Sequence, residues 1–141
     1  MSQYLLDTNI CIHLMRGDAH LRQMFDTVGE GDCFISELTV AELLYGVAYC
    51  APAHQAREQT KLTNLLRLFP DNQILAISSI IPRYAEVKAN LRRIGRLQGE
   101  FDMLIGSTAL THGLTLVTRY GRHFADVAGL GVEDWVAEAA A

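Results

Sequence analysis

The sequence is poor in several things that would mark other protein classes. Cysteine occurs three times, at Cys11, Cys33 and Cys50. The count is odd, the spacing is wide and no C-x-x-C occurs, so a disulfide framework is excluded and buried free thiols in a reducing cytoplasm are expected. The histidines His13, His20, His54, His112 and His123 form no zinc-binding spacing. No G-x-G-x-x-G, Walker A or G-x-S-x-G segment is present, which leaves nucleotide-cofactor and serine-hydrolase chemistry without support. Basic charge is not in excess: 12 Lys and Arg face 16 Asp and Glu, a net charge of -4. Contact with a polyanion therefore requires a local patch. Long apolar runs are missing too. The longest uncharged stretch, Met103 to Thr118, contains Gly, Ser, Thr and His and falls short of the ~20 apolar residues that span a bilayer. The start lacks basic residues and Asp7 interrupts its apolar run, so no secretory signal is expected. These absences predict a soluble cytoplasmic protein without membrane contact.

What is present suits one folded domain over residues 1–141, with a frayed tail at about 136–141. Half of the 141 residues are hydrophobic and 20% are charged, a balance that excludes a disordered chain. Short apolar runs at Tyr4–Leu6, Cys33–Ile35, Gln73–Ile77 and Leu114–Val117 read as strands. A last edge strand is expected around Val132 and Trp135. Between them lie helical stripes: Ile10–Met15, Leu21–Val28, a helix opened by Ser36 and closed by Pro52, an amphipathic helix over 53–69, Ser78–Ile94 with Pro82 in its first turn, and Phe101–His112 with Gly113 as its C-cap. Strands alternating with helices predict an α/β fold, layered around a mainly parallel sheet.

The most informative absence is local. Asp7 is the only charged side chain in residues 1–15, Glu42 the only one in 38–56 and Asp102 the only one in 101–118. A lone carboxylate on a buried element is unfavourable without a partner. Asp7 follows the first strand, where open parallel sheets bind ligands beyond their carboxyl ends. Converging carboxylates repel one another, and a hard divalent cation such as Mg²⁺ resolves that repulsion while supporting phosphoryl chemistry. Each carboxylate also has a purely structural reading. Asp7 suits an N-cap, Thr39 to Glu42 suits a capping box, and Asp102 suits a helix N-terminus.

With these residues the chain resembles the PIN-domain nucleases and, among them, the VapC toxins of bacterial toxin–antitoxin pairs. The matching blocks are Leu5–Ile10, Ser36–Gly46, Gly99–Gly106, Leu116–Thr118, Phe124 and Val132–Trp135, in order, from residue 4 to 135. The resemblance implies a three-layer α/β/α sandwich and Mg²⁺- or Mn²⁺-dependent hydrolysis of RNA. Asp7, Glu42 and Asp102 would be the catalytic carboxylates, Asp7 and Asp102 carrying the metal. Asn9 and Thr118 match recurring polar positions that hold the carboxylates or the substrate phosphate. Expected partners are an RNA substrate, a VapB-type antitoxin and a second copy of the chain.

One departure stands out. The family often carries Asp or Glu before the Phe that is here Phe124, and Asn-Asn where this chain has Arg119-Tyr120; His123 occupies the usual acid position. That change predicts a single tightly bound metal, with Arg119, Arg122 or His123 facing the substrate phosphate. A basic cluster, Arg83, Lys88, Arg92, Arg93 and Arg96, precedes the Asp102 block with Glu86 as its only acid. It is either a solvated helix face or an RNA-binding surface. Tyr45 and Tyr49 are expected in the core or at an interface. The competing functions are a nuclease acting on DNA and a catalytically silent PIN-like binding module, for which the missing fourth acid speaks.

Overall fold

A computed structural model describes residues 2–136. The expected frayed tail falls, Val136 apart, outside the described residues. The five strands are β1 (Tyr4–Leu6), β2 (Cys33–Ser36), β3 (Ile74–Leu75), β4 (Thr115–Val117) and β5 (Val132–Glu133). They form one sheet in the order β3-β2-β1-β4-β5. Every pairing is parallel, with Tyr4 opposite both Cys33 and Thr115, and Val117 opposite Glu133.

The helices are α1 (Thr8–Met15), α2 (Ala19–Val28), α3 (Glu37–Tyr49), α4 (Pro52–Leu66), α5 (Ile81–Arg93) and α6 (Glu100–His112). Because side chains alternate across a strand, Leu6, Cys33, Ile35 and Val117 face a core shared with Leu21, Phe25, Leu62 and Leu65 of α2 and α4. Leu5 and Leu116 face the opposite core, closed by Ile105 and Ala109 of α6. The expected three-layer α/β/α sandwich with a parallel sheet is the architecture observed. None of the described helices is long and apolar enough to cross a membrane.

The chain builds β1, β2 and β3 outward on one side, then returns to add β4 and β5 on the other. The order reverses next to β1, so a crevice opens beyond the carboxyl ends of β1 and β4. Asp7 and Thr118 are the residues that follow those two strands.

Several boundaries differ from those the sequence predicts. The third strand keeps only Ile74 and Leu75, because Gln73 ends a short 3₁₀ turn and its amide donates to the Cys33 carbonyl at 2.6 Å and to that of Glu30. A 3₁₀ turn over Ile77–Ile80 delays the next helix to Ile81. Pro52 opens α4 rather than closing α3, which ends at Tyr49; its missing N–H is no loss at a first turn. Trp135 lies past β5 and folds inward, edge-on to Tyr4 with ring centroids 4.9 Å apart. Gly113 ends α6 as expected, at φ 66°, with the Leu114 N–H reaching the Ala109 carbonyl at 2.8 Å in a Schellman-type cap. Cys11 and Cys33 are buried free thiols, while Cys50 is only partly buried.

Candidate active site

Asp7 both caps a helix and lines the cleft beyond β1. It is the N-cap of α1, its Oδ1 accepting the Thr8 N–H at 2.8 Å. Its Oδ2 accepts the Asn9 amide at 3.0 Å and the Thr118 hydroxyl at 2.9 Å. Asn9 reaches onward to Thr118 Oγ1 at 3.2 Å, and its Oδ1 accepts the Arg119 N–H at 2.9 Å. The ends of β1 and β4 are thus tied together around one carboxylate that is 6% exposed. Burial pushes the Asp7 carboxyl above its ordinary range, aided by the negative charge of Asp102; the bonds from Thr8, Thr118 and Asn9 oppose the shift without cancelling it.

Glu42 arrives from α3. The capping-box alternative is overturned, since the N-cap of α3 is Ser36, whose Oγ accepts the Leu38 N–H at 3.0 Å. Thr39 is instead buried within the helix, its hydroxyl 3.1 Å from that of Thr8. The Thr8 hydroxyl donates to Glu42 Oε1 at 2.7 Å. Burial raises the Glu42 carboxyl as well, with Asp7 and Asp102 adding repulsion against the Thr8 bond.

Asp102 lies in the first turn of α6, where Gly99 and not Asp102 is the N-cap. Its Oδ2 stands 3.1 Å from Nδ1 of His123. That imidazole projects from a 3₁₀ turn, Gly121–Phe124, and stacks on Tyr120 with centroids 5.4 Å apart and planes 16° from parallel.

Asp7, Glu42 and Asp102 line one cleft of about 360 Å³, together with Thr8, Asn9 and His123. Among the described residues neither Lys nor Arg lines it. Three converging carboxylates, with oxygen donors around them, have the donor set that a hard divalent cation prefers. No three Asp, Glu, His or Cys side chains among the described residues stand close enough to enclose an ion by themselves. Water would complete the coordination, as Mg²⁺ commonly requires.

The remaining expected residues divide. Thr118 is buried and bonds Asp7, so it braces the carboxylate from inside the sheet. The Arg119 guanidinium turns away to Asp134 Oδ2 at 3.4 Å, because β5 lies beside β4 and brings Asp134, the first residue past β5, alongside the chain that leaves β4 through Thr118 and Arg119. Arg122 is exposed on the His123 turn and does not line the cleft. In the basic cluster Lys88 pairs with Glu100 at 2.6 Å and Arg83 with Glu86 at 3.9 Å. Arg92, Arg93 and Arg96 are exposed, without an ion-pair partner among the described residues. Tyr45 and Tyr49 are not core residues: they are 67% and 80% exposed and stack on each other at 5.9 Å.

Sequence reasoning missed Thr8, Thr39 and Phe101. Thr8 stood within the Asp7-Thr8-Asn9 triplet, and Thr39 one helical turn before Glu42; both spacings were available as signals. Phe101, half-exposed beside Asp102, forms the wall of a more apolar recess that runs on from the cleft toward Tyr45.

This arrangement defines a class, a carboxylate-lined cleft at the switch point of a small parallel sheet, and comparison with known proteins gives it a family. The PIN domain family matches residues 4–130. The tRNA(fMet)-specific endonuclease VapC of Shigella flexneri is 30% identical, over 96% of this chain and 99% of its own length. Ribonuclease VapC2 of Haemophilus influenzae is also 30% identical, over 96% of this chain and 100% of its own. Among solved structures, the DNA-bound VapBC of Salmonella typhimurium superposes with a TM-score of 0.86 at 27% identity, covering 96% of this chain and 99% of the other. The chain belongs to the PIN-domain family and, within it, to the VapC ribonuclease toxins of toxin–antitoxin pairs.

Proposed function

We propose that the chain is a metal-dependent endoribonuclease that arrests growth by cleaving RNA phosphodiester bonds, with Asp7, Glu42 and Asp102 as its catalytic carboxylates. The observation that carries this reading is their convergence on one cleft without a Lys or Arg to neutralise them. Asp7 and Asp102 would hold Mg²⁺ or Mn²⁺. Such an ion, when bound, polarises a phosphate oxygen, assists ionisation of the attacking water and stabilises the leaving oxygen.

The chain's own residues do the rest. Asn9 and Thr118 fix the orientation of Asp7 through Oδ2, so they serve the substrate by positioning that carboxylate. Thr8 holds Glu42 through Oε1. Burial makes Glu42 a stronger base than a solvated carboxylate, which suits it to accept the proton of the attacking water. Arg122 reaches the phosphate from the rim. Arg119 joins it by leaving Asp134, since an exposed pair of that kind is worth at most ~1 kcal/mol. Arg92 and Arg93 extend the phosphate contacts along α5.

The protein acts as a single domain in the cytoplasm, as a homodimer silenced by a VapB-type antitoxin. The exposed Leu44, Tyr45 and Tyr49 on α3 offer apolar surface for such contacts.

The deciding experiment compares wild type with Asp7→Asn on matched RNA and DNA, with and without Mg²⁺ or Mn²⁺. Metal-dependent cleavage of RNA alone, lost in Asp7→Asn together with growth arrest, is the expected result. Cleavage of DNA in preference to RNA would make the chain a DNA nuclease. A wild-type chain that takes up no metal and cleaves neither substrate would be a binding module.

A further inference from the structure

His123 has no role in the three-carboxylate mechanism, yet it stands in the same cleft. Its Nδ1 lies 3.1 Å from Asp102 Oδ2. Two ligands bound ~2.1 Å from one ion and meeting at a right angle lie about 3.0 Å apart. The pair is therefore already spaced as one edge of an octahedral coordination shell. The imidazole is also held in place, by its stack on Tyr120 and by the backbone bond from the His123 N–H to the Tyr120 carbonyl at 2.9 Å. A neutral imidazole with its proton on Nε2 offers a lone pair at Nδ1.

We infer that His123 is a metal ligand of this site, completing with Asp102 a mixed nitrogen–oxygen set that favours Mn²⁺ over Mg²⁺. The inference rests on the metal-site reading above and goes beyond it by settling which ion the site prefers. Mg²⁺ takes hard oxygen donors, whereas imidazole nitrogen suits first-row transition ions. Replacing an acid by His at this position lowers the negative charge of the site by one and exchanges an oxygen donor for nitrogen. The lost charge weakens both ions, whereas the exchange of donor weakens Mg²⁺ more than Mn²⁺.

The test uses the full chain without antitoxin and reads ion binding rather than cleavage. Mn²⁺ is titrated into wild type, His123→Ala and His123→Asp, and Mg²⁺ affinity is read by competition. Electron spin-echo spectroscopy of the bound Mn²⁺ then reports whether a ¹⁴N nucleus is directly coordinated. Wild type should show nitrogen coupling and both variants should lack it. His123→Ala should lose at least ~10-fold in Mn²⁺ affinity with little change for Mg²⁺, and His123→Asp should bring the two affinities together by raising that for Mg²⁺. Mn²⁺ that binds wild type and is lost in Asp7→Asn, but shows no nitrogen coupling, overturns the ligand assignment and leaves the nuclease reading intact. An unchanged Mn²⁺ to Mg²⁺ preference in all three proteins overturns it as well. A wild-type chain that takes up no Mn²⁺ overturns both readings together.

Discussion

The two walls of the cleft are built on different terms. On the sheet side, both oxygens of Asp7 are engaged by Thr8, Asn9 and Thr118, and the group is almost wholly buried. On the helix side, Asp102 is half-buried and has, among the described residues, a single polar side-chain partner, His123, which is itself half-exposed. One wall is fixed by the strands that carry it; the other is a contact between two surface groups from α6 and a short turn. The contrast separates two tasks. On the proposed reading, the sheet wall sets where charge lies whatever is bound, and the helix wall, through His123, sets which ion binds there.

The largest expected effect breaks the sheet wall at its centre. Asp7→Asn keeps the size and removes the charge, forfeiting several kcal/mol of transition-state stabilisation, about 10³-fold in rate. Cleavage of a defined RNA at saturating Mn²⁺ measures it; a loss below tenfold would move the centre of the site to Asp102 and Glu42.

Thr118→Val comes next. It removes a donor to Asp7 without touching substrate, and in doing so leaves Asn9 and the Tyr120 N–H short of a partner. Loss of such an orienting partner costs ~10–100-fold in metal affinity, and the buried groups left unpaired cost ~1–3 kcal/mol in stability. Tyr120→Ala, on the exposed wall, should change stability by less than ~0.5 kcal/mol. Metal titration and thermal unfolding of both variants sharpen the comparison, and equal losses in the two would abolish it.

A smaller effect belongs outside the cleft. Arg92→Ala with Arg93→Ala should weaken RNA binding and flatten its salt dependence by about 0.7 in log–log slope for each phosphate no longer neutralised. Binding measured across a salt series decides it. An unchanged slope returns this face of α5 to solvent.

The sheet wall was legible in the sequence and the helix wall only in part, for a physical reason. Asp7, Glu42 and Asp102 were visible because exclusion of charge around a carboxylate is a property of consecutive residues. The strands β1, β2 and β4 were visible as short apolar runs. What depends on lateral neighbours was not. Arg119 turns to Asp134 because β5 lies beside β4, which no local pattern encodes. β3 is cut short by a side chain, Gln73, that serves carbonyls of a distant segment. Tyr45 and Tyr49 sit on an apolar helix whose outward face meets solvent, and hydrophobicity alone does not say which face is covered. His123 was visible as a departure, but its distance to Asp102 required the fold.

The smallest effect concerns pH and tests whether the sheet wall is strained without an ion. Asp7 and Glu42 both have folded values above their ordinary ones, burial being the leading cause in each. The folded chain therefore holds these protons more tightly than the unfolded chain does. The stability they contribute is fully present below the unfolded carboxylate values, about 4, and is lost as pH rises through the raised folded values. Glu100 works in the opposite direction, held low by hydrogen bonds from Lys88 and Tyr84, but it is fully exposed and screened. With a chelator present, the melting temperature of wild type should thus gain from mild acidification, and Asp7→Asn should lose most of that gain. Excess Mn²⁺ at neutral pH should supply the missing stability by neutralising the same charges. If chelated wild type and Asp7→Asn follow one pH curve, Asp7 carries no strain in the ion-free protein, and the cation is recruited by geometry rather than by relief of repulsion.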